Sequence, residues 1–173
     1  MSGVPRAAGD ALVAAAALFL LSCEPGTNLG TYMVKGQLVS NSCGGGIGAP
    51  SPWEFRALLW QAGQTVYWSF GDASPLLSGP LSGGTHVTLT GHEVANVDGT
   101  NTTMGPCDLT RSDDLELTLS SAASPSGFSV TVSYAFAEQQ GAVCADQLAA
   151  NGGMYAVLPC SVSYTVTASR TGN

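Results

Sequence analysis

The sequence predicts an all-β domain: an antiparallel β-sandwich of roughly seven to nine strands held by two disulfides, with a closed β-barrel as the alternative. Three observations carry this expectation. Short stretches alternate apolar and polar residues with a period of two, the pattern of a strand with one buried face. Clusters of Gly, Pro, Asn and Asp punctuate them. Cysteines at 43, 107, 144 and 160 form an even set in a chain with 22 glycines, abundant Ser and Thr, and only 10% charged residues. No long amphipathic helix competes, and no internal repeat is visible.

The strands follow in order. Tyr32, Val34 and Leu38 share one face and Thr31, Lys35 and Gln37 the other, with Gly36 as a candidate bulge. A loop rich in Gly and Pro runs over residues 41–52. It lacks the Lys-Ser/Thr and the following helix of a phosphate-binding loop. Trp53, Phe55, Ala57 and Leu59 then alternate with Glu54, Arg56, Leu58 and Trp60, and a turn at 61–64 leads into Val66, Trp68 and Phe70. This reads as a hairpin. Residues 71–84 are loop-rich. Two runs, 85–90 and 92–97, flank Gly91. Leu115, Leu117 and Leu119 make a half-buried strand, as do Phe128, Val130, Val132, Tyr134 and Phe136. Residues 142–150 read as a short helix carrying Cys144. Val162, Tyr164, Val166 and Ala168 form the last strand, and Cys160 shares their inward parity.

At the amino terminus, residues 11–21 form an uncharged apolar run. At about 1.5 Å per residue it covers roughly 17 Å, too short for a bilayer core of about 30 Å but suited to a signal-peptide core. The run ends in Leu20-Leu21-Ser22-Cys23, which resembles the lipobox of bacterial lipoproteins: an aliphatic residue, a tolerant position, a small residue, then cysteine. In that family the thiol takes a diacylglyceryl group, a peptidase cuts before the cysteine, and the new amino group is often acylated. The resemblance covers the first 23 residues. It implies a signal peptide over 1–22 and a lipidated Cys23; a short Pro- and Gly-containing tether follows over 23–30, and the strand alternation marks a single β-domain over 31–173. The resemblance also implies a protein held by lipid to a membrane of a bacterial cell envelope, facing the periplasm or the cell surface. Two or three acyl chains, at about 0.8 kcal/mol per buried methylene, anchor stably.

With Cys23 assigned to lipid, the other four cysteines read as two disulfides in an oxidising compartment. Three connectivities are open, and the sequence favours Cys43–Cys107 with Cys144–Cys160. The second closes a loop of about 15 residues, worth about 3 kcal/mol on the chain-entropy model. A zinc site is disfavoured because no Cys-x-x-Cys pair is present.

The net charge is −7 with five Lys and Arg in all. The basic residues are scattered, which argues against nucleic acid or an anionic lipid surface as a partner, since either needs a basic patch. No cofactor or metal is expected. His86 and His92 lack a third ligand, and the acidic cluster Asp108, Asp113, Asp114 and Glu116, with Arg111 as its local partner, reads as a solvated surface that matches no calcium loop. No Gly-x-Ser-x-Gly or His-Glu-x-x-His motif points to catalysis, so no catalytic residue is assigned. Trp60 and Tyr67 fall on the face opposite the larger apolar set; the plainer reading is that they cover a second small core or lie beneath a loop, and the alternative, if that face is exposed, is contact to a carbohydrate or protein ligand, because aromatics join apolar area to a polar handle. The expected function is therefore a membrane-anchored lipoprotein with a non-catalytic binding or structural β-domain. The alternatives are a barrel carrying lipid or another small ligand, and a cell-envelope hydrolase.

Overall fold

A computed structural model describes residues 26–70, 76–97 and 107–172. Eight strands close into one antiparallel barrel: β1 (Thr27–Asn41), β2 (Trp53–Ala62), β3 (Thr65–Ser69), β4 (Leu77–Ser82), β5 (His86–Val97), β6 (Cys107–Leu119), β7 (Gly127–Glu138) and β8 (Cys160–Gly172). Each strand pairs with its sequence neighbours, and β8 returns to pair with β1. The all-β class and the two disulfides are as expected, and the architecture is the closed barrel given as the alternative, not the preferred sandwich. Strand alternation is the same in both architectures; the difference lies in β1. Its Thr27–Gly36 portion pairs with β2 while Thr31–Asn41 pairs with β8. Register shifts at Asn28/Gly30 and Leu38/Ser40 bend it between the two partners. Closure leaves no open sheet edge.

The up-and-down order gives the barrel two unlike ends. Residues 63–64, 83–85 and 120–126 make short connections at one end, where Thr27 enters and Gly172 leaves. Among the described residues, the longer connections 42–52 and 139–159 lie at the other end, the mouth. β1 begins within the stretch expected to be tether. Asn28 already pairs with Trp60, and its side-chain oxygen accepts the Gly30 N–H at 2.9 Å.

The core is the barrel interior. Val34, Leu59, Val66, Leu89, Leu115, Val162 and Val166 are fully buried along its walls. Aromatic rings fill the axis in an unbroken series of centroid contacts. Tyr32 meets Phe128 at 4.9 Å, Phe128 meets Trp68 at 5.3 Å, and Trp68 meets Phe70 at 5.3 Å. Phe70 meets Phe55 at 5.3 Å, Phe55 meets Trp53 at 4.4 Å, and Trp53 meets Tyr164 at 4.9 Å. Tyr164, Tyr134, Phe136 and Tyr155 carry the series up to the mouth at 6.2, 5.9 and 5.3 Å. An eight-stranded barrel is just wide enough for side chains to fill, and rings fill this one. Gly36 makes room for them. It is no bulge: a Cβ there would stand 3.3 Å from Val166, 3.4 Å from the Tyr164 ring and 3.5 Å from Trp53.

The outward positions carry Ser129, Thr131 and Ser133 on β7, Ser161, Ser163, Thr165 and Thr167 on β8, and Thr88, Thr90 and His92 on β5. This wall is hydroxyl-rich, the reverse of the apolar outer band of a membrane-spanning barrel. Among the described residues no helix is long and apolar enough to cross a membrane.

Three further expectations change. Gly91 does not divide β5, because β6 pairs with it on both sides through Thr90–Asp114 and His92–Ser112. β6 begins at Cys107, well before Leu115, because polar residues there still keep the strand period. Residues 142–150 form two single 3-10 turns, Ala145–Gln147 and Ala149–Asn151, in place of a short helix.

The disulfide pairing is corrected as well. The bridges are Cys43–Cys160 and Cys107–Cys144, with Cα separations of 4.9 and 4.8 Å. The first continues the β1–β8 ladder: Asn41 pairs with Val162, and the Ser42 N–H donates to the Ser161 carbonyl at 2.9 Å, which sets Cys43 beside Cys160. Proximity in the sequence pointed to Cys144 for that partner, but barrel closure brings the two chain halves together first. The bridge closes 117 residues, and on the chain-entropy model such a loop is worth about 4.7 kcal/mol against about 3 for a loop of about 15. Two disulfides indicate an oxidising environment.

Candidate functional site

The polar chemistry of the interior is gathered at the mouth. Along β6 the inward positions read Leu109, Arg111, Asp113, Leu115, Leu117 and Leu119, so a cation and an anion replace apolar residues in the upper layers. Arg111 is cross-strand from Glu93 and Phe136, and Asp113 from Gly91 and Tyr134. Two nitrogens of the Arg111 guanidinium, Nε and Nη2, donate to the same Asp113 oxygen, Oδ1, at 3.0 and 2.8 Å. The Asp113 side chain is 6% exposed and that of Arg111 40%, so the pair reaches from the wall into the opening. The guanidinium carbon lies 5.2 Å from the Tyr134 ring centroid, within cation–π range.

Two clefts flank this pair and share Arg111 and Phe136. One, of about 200 Å³, is walled by Trp53, Tyr134 and Tyr164 with Ile47 and Pro50 of the first loop. The other, of about 210 Å³, is walled by Glu93, Leu109 and Tyr155. Burial, with Tyr164 adjoining, pushes the Tyr134 phenol well above its ordinary range, against the opposing pull of Arg111. Burial raises Tyr155 too, again opposed by Arg111. Both phenols therefore stay protonated at neutral pH and can donate a hydrogen bond.

Two described loops at the mouth, 42–52 and 139–159, are held to the rim. The Asn41 side chain accepts from the N–H groups of Cys43 and Gly44 at 2.9 and 3.1 Å and donates to the Gly44 carbonyl at 2.9 Å. The Ala156 N–H donates to the Cys43 carbonyl at 2.7 Å, joining the two pinned loops. Tyr155 is fixed by backbone bonds with Gln147 and Ala149, at 3.0 and 2.6 Å. A rim tied in this way loses little freedom when a ligand arrives.

The sequence-identified residues fall elsewhere. Cys23 lies outside the described residues. Trp60 and Tyr67 do come together, as cross-strand partners on β2 and β3 with rings parallel to within 8° and centroids 5.5 Å apart. They face outward near the short-turn end, away from the mouth. His86 and His92 also face outward on the single strand β5, where about 3.3 Å per residue keeps them roughly 20 Å apart. His86 is within 3.3 Å of the Thr118 hydroxyl and His92 within 3.2 Å of that of Ser112. Among the described residues no cluster of three or more His, Cys, Asp or Glu is placed to hold a metal ion.

By sequence alone Arg111 and Asp113 belong to a solvated acidic surface, with Arg111 a ready partner for the acids. The ion pair holds, but Asp113 is buried. The signal was parity: both residues share the odd positions of Leu115, Leu117 and Leu119.

Compared with protein-family models, with curated proteins and with solved structures, the chain matches none of them.

Proposed function

We propose that this chain is a lipid-anchored lipoprotein of a bacterial cell envelope whose barrel is a non-catalytic binding domain, with its ligand taken at the mouth. The observation that carries the reading is the polarity of the barrel. The described strands β1 and β8 begin and end at the short-turn end, whereas both disulfides and the connections 42–52 and 139–159 lie at the other. A lipid on Cys23, just ahead of β1, would hold the first end to the membrane and present the mouth away from it.

The mouth chemistry suits a sugar ring or a peptide side chain. Trp53, Tyr134 and Phe136 offer flat apolar faces. Arg111 and the tyrosine hydroxyls donate hydrogen bonds, while Glu93 and Asp113 accept them, so a ring whose hydroxyls do both is matched. Each cleft is below the ~300 Å³ lower bound of sites that enclose a drug-sized ligand, which suits one ring per cleft. The filled interior favours this rim site over a carrier with an open lumen.

The experiment is fractionation of cells expressing the wild type or Cys23→Ala, with metabolic labelling by a radioactive fatty acid. The wild type should label and enter the detergent phase, and the variant should do neither. An unlabelled wild type in the aqueous phase would remove the anchor. For the mouth, Trp53 emission is followed during titration with monosaccharides and short peptides. A response unchanged by Arg111→Gln would move the site elsewhere.

A further inference from the structure

We infer that the outward Leu58–Trp60–Tyr67 patch is a second membrane contact, seated in the headgroup region of the bilayer that holds the Cys23 lipid. The inference rests on the lipid-anchored reading and adds an orientation to it.

The first argument is reach. Gly26 lies against Trp60; a Cβ built on Gly26 would stand 3.2 Å from the Trp60 ring. Three residue steps separate Cys23 from Gly26, and at no more than about 3.6 Å per residue they span at most about 11 Å. The Trp60 edge of the patch is therefore held within about 15 Å of the lipidated residue.

The second argument is side-chain chemistry. Leu58 is 37% exposed, and together with Asn28 and Trp60 it borders a shallow, mainly apolar recess beginning at Gly26. Trp60 and Tyr67, stacked in parallel, present ring area with an indole N–H and a phenol at their edges. Amphipathic rings of this kind settle at the membrane–water interface, where one part is apolar and the other wet.

The third argument is charge. Eight carboxylates fall among the described residues, and none stands on the turns 63–64, 83–85 or 120–126. Glu54, Glu93, Asp108, Glu138 and Asp146 stand toward the mouth, Asp113 and Asp114 midway along β6, and Glu116 three residues from its short-turn end. An anionic lipid surface repels the more acidic mouth more than the Ser-, Gly- and Ala-rich end. Reach, chemistry and charge thus select the same end.

The test uses the full lipidated protein in vesicles of phosphatidylethanolamine and phosphatidylglycerol with brominated acyl chains, which quench tryptophan on contact. Trp60 is the one outward tryptophan; Trp53 and Trp68 point into the barrel. The expected result is quenching in the wild type that is lost in Trp60→Tyr, with Trp53 and Trp68 emission retained in both. Mass spectrometry of Cys23 and vesicle flotation are recorded on the same samples. Acylated protein that floats but shows no bromine quenching overturns the membrane contact and leaves the anchor intact. Shielding of Trp60 from aqueous iodide in detergent as well as in vesicles, without bromine quenching, assigns the patch to a protein segment and also overturns it. Protein that is neither acylated nor floating overturns both readings.

Discussion

Arg111 places two guanidinium nitrogens on one oxygen of Asp113, at 3.0 and 2.8 Å, with the carboxylate nearly buried and the cation partly in the mouth. The arrangement is asymmetric, and so are the consequences of breaking it. Arg111→Met leaves a buried carboxylate without its cation, and loss of a charged partner costs about 3–5 kcal/mol when both groups are buried. Exposure of Arg111 to solvent reduces this to about 1–3 kcal/mol. The double variant Arg111→Met/Asp113→Leu should recover most of the loss, because no charge is then stranded. Urea unfolding of the four proteins checks this. Additive losses in the double variant would show that the pair is not coupled.

The two bridges should differ in what they hold. Peptide mapping without reduction should recover Cys43 linked to Cys160 and Cys107 linked to Cys144. A peptide joining Cys43 to Cys107 would refute the barrel registry at the mouth. Replacing either pair with serines should cost about 2–5 kcal/mol, the Cys43–Cys160 pair the more because its loop is longer. Loss of Cys107–Cys144 should instead loosen the loop that delivers Tyr155, and so weaken any ligand response at the second cleft while the barrel stays folded.

Alkaline pH should separate the barrel from its unfolded chain. Burial raises Tyr32, Tyr134 and Tyr155 above the ordinary phenol value of about 10, with nearby Arg170 opposing the shift at Tyr32. The Tyr32 hydroxyl also lies 2.8 and 3.0 Å from the carbonyls of Leu29 and Pro125, which share its single proton, an arrangement that ionisation would lose. The folded state thus binds these protons more tightly than the unfolded state. The stability they contribute is fully present below about pH 10 and is lost as pH rises from there toward the folded values. Tyrosinate absorbance and circular dichroism, followed together, should show these tyrosines ionising only as the barrel unfolds. Complete ionisation near pH 10 with native dichroism would contradict their burial.

The strands were legible because their chemistry is local. Val130 and Thr131 announce opposite faces without reference to any other strand. Closure was not legible: whether β1 meets β8 depends on bends at Asn28 and Leu38 that leave no distinct mark in the alternation. The same blindness misassigned the disulfides, since Cys43 and Cys160 become neighbours only after β8 returns to β1. At the mouth, Arg111 and Asp113 looked like surface because charge was weighed above parity. Trp60 and Tyr67 were correctly set on the outer face, but which end of the barrel they occupy follows only from the strand order.

Gly36 offers the sharpest test of the filled interior. On the inward face of β1, two rings and a β-branched residue crowd its backbone, with Tyr164, Trp53 and Val166 all within 3.5 Å of where a Cβ would stand. At 3.3–3.5 Å an added methyl group is tight but not blocked, so Gly36→Ala should fold with a loss of about 1–3 kcal/mol, the usual cost of overpacking. Gly36→Leu has nowhere to place its branch and should not fold. Because Trp53 and Tyr164 also wall the first cleft, Gly36→Ala should alter the near-ultraviolet dichroism of these rings and weaken a ligand response there, although position 36 does not line the cleft. If Gly36→Leu were as stable as the wild type, the axis would have to be open, and the case for a carrier would return.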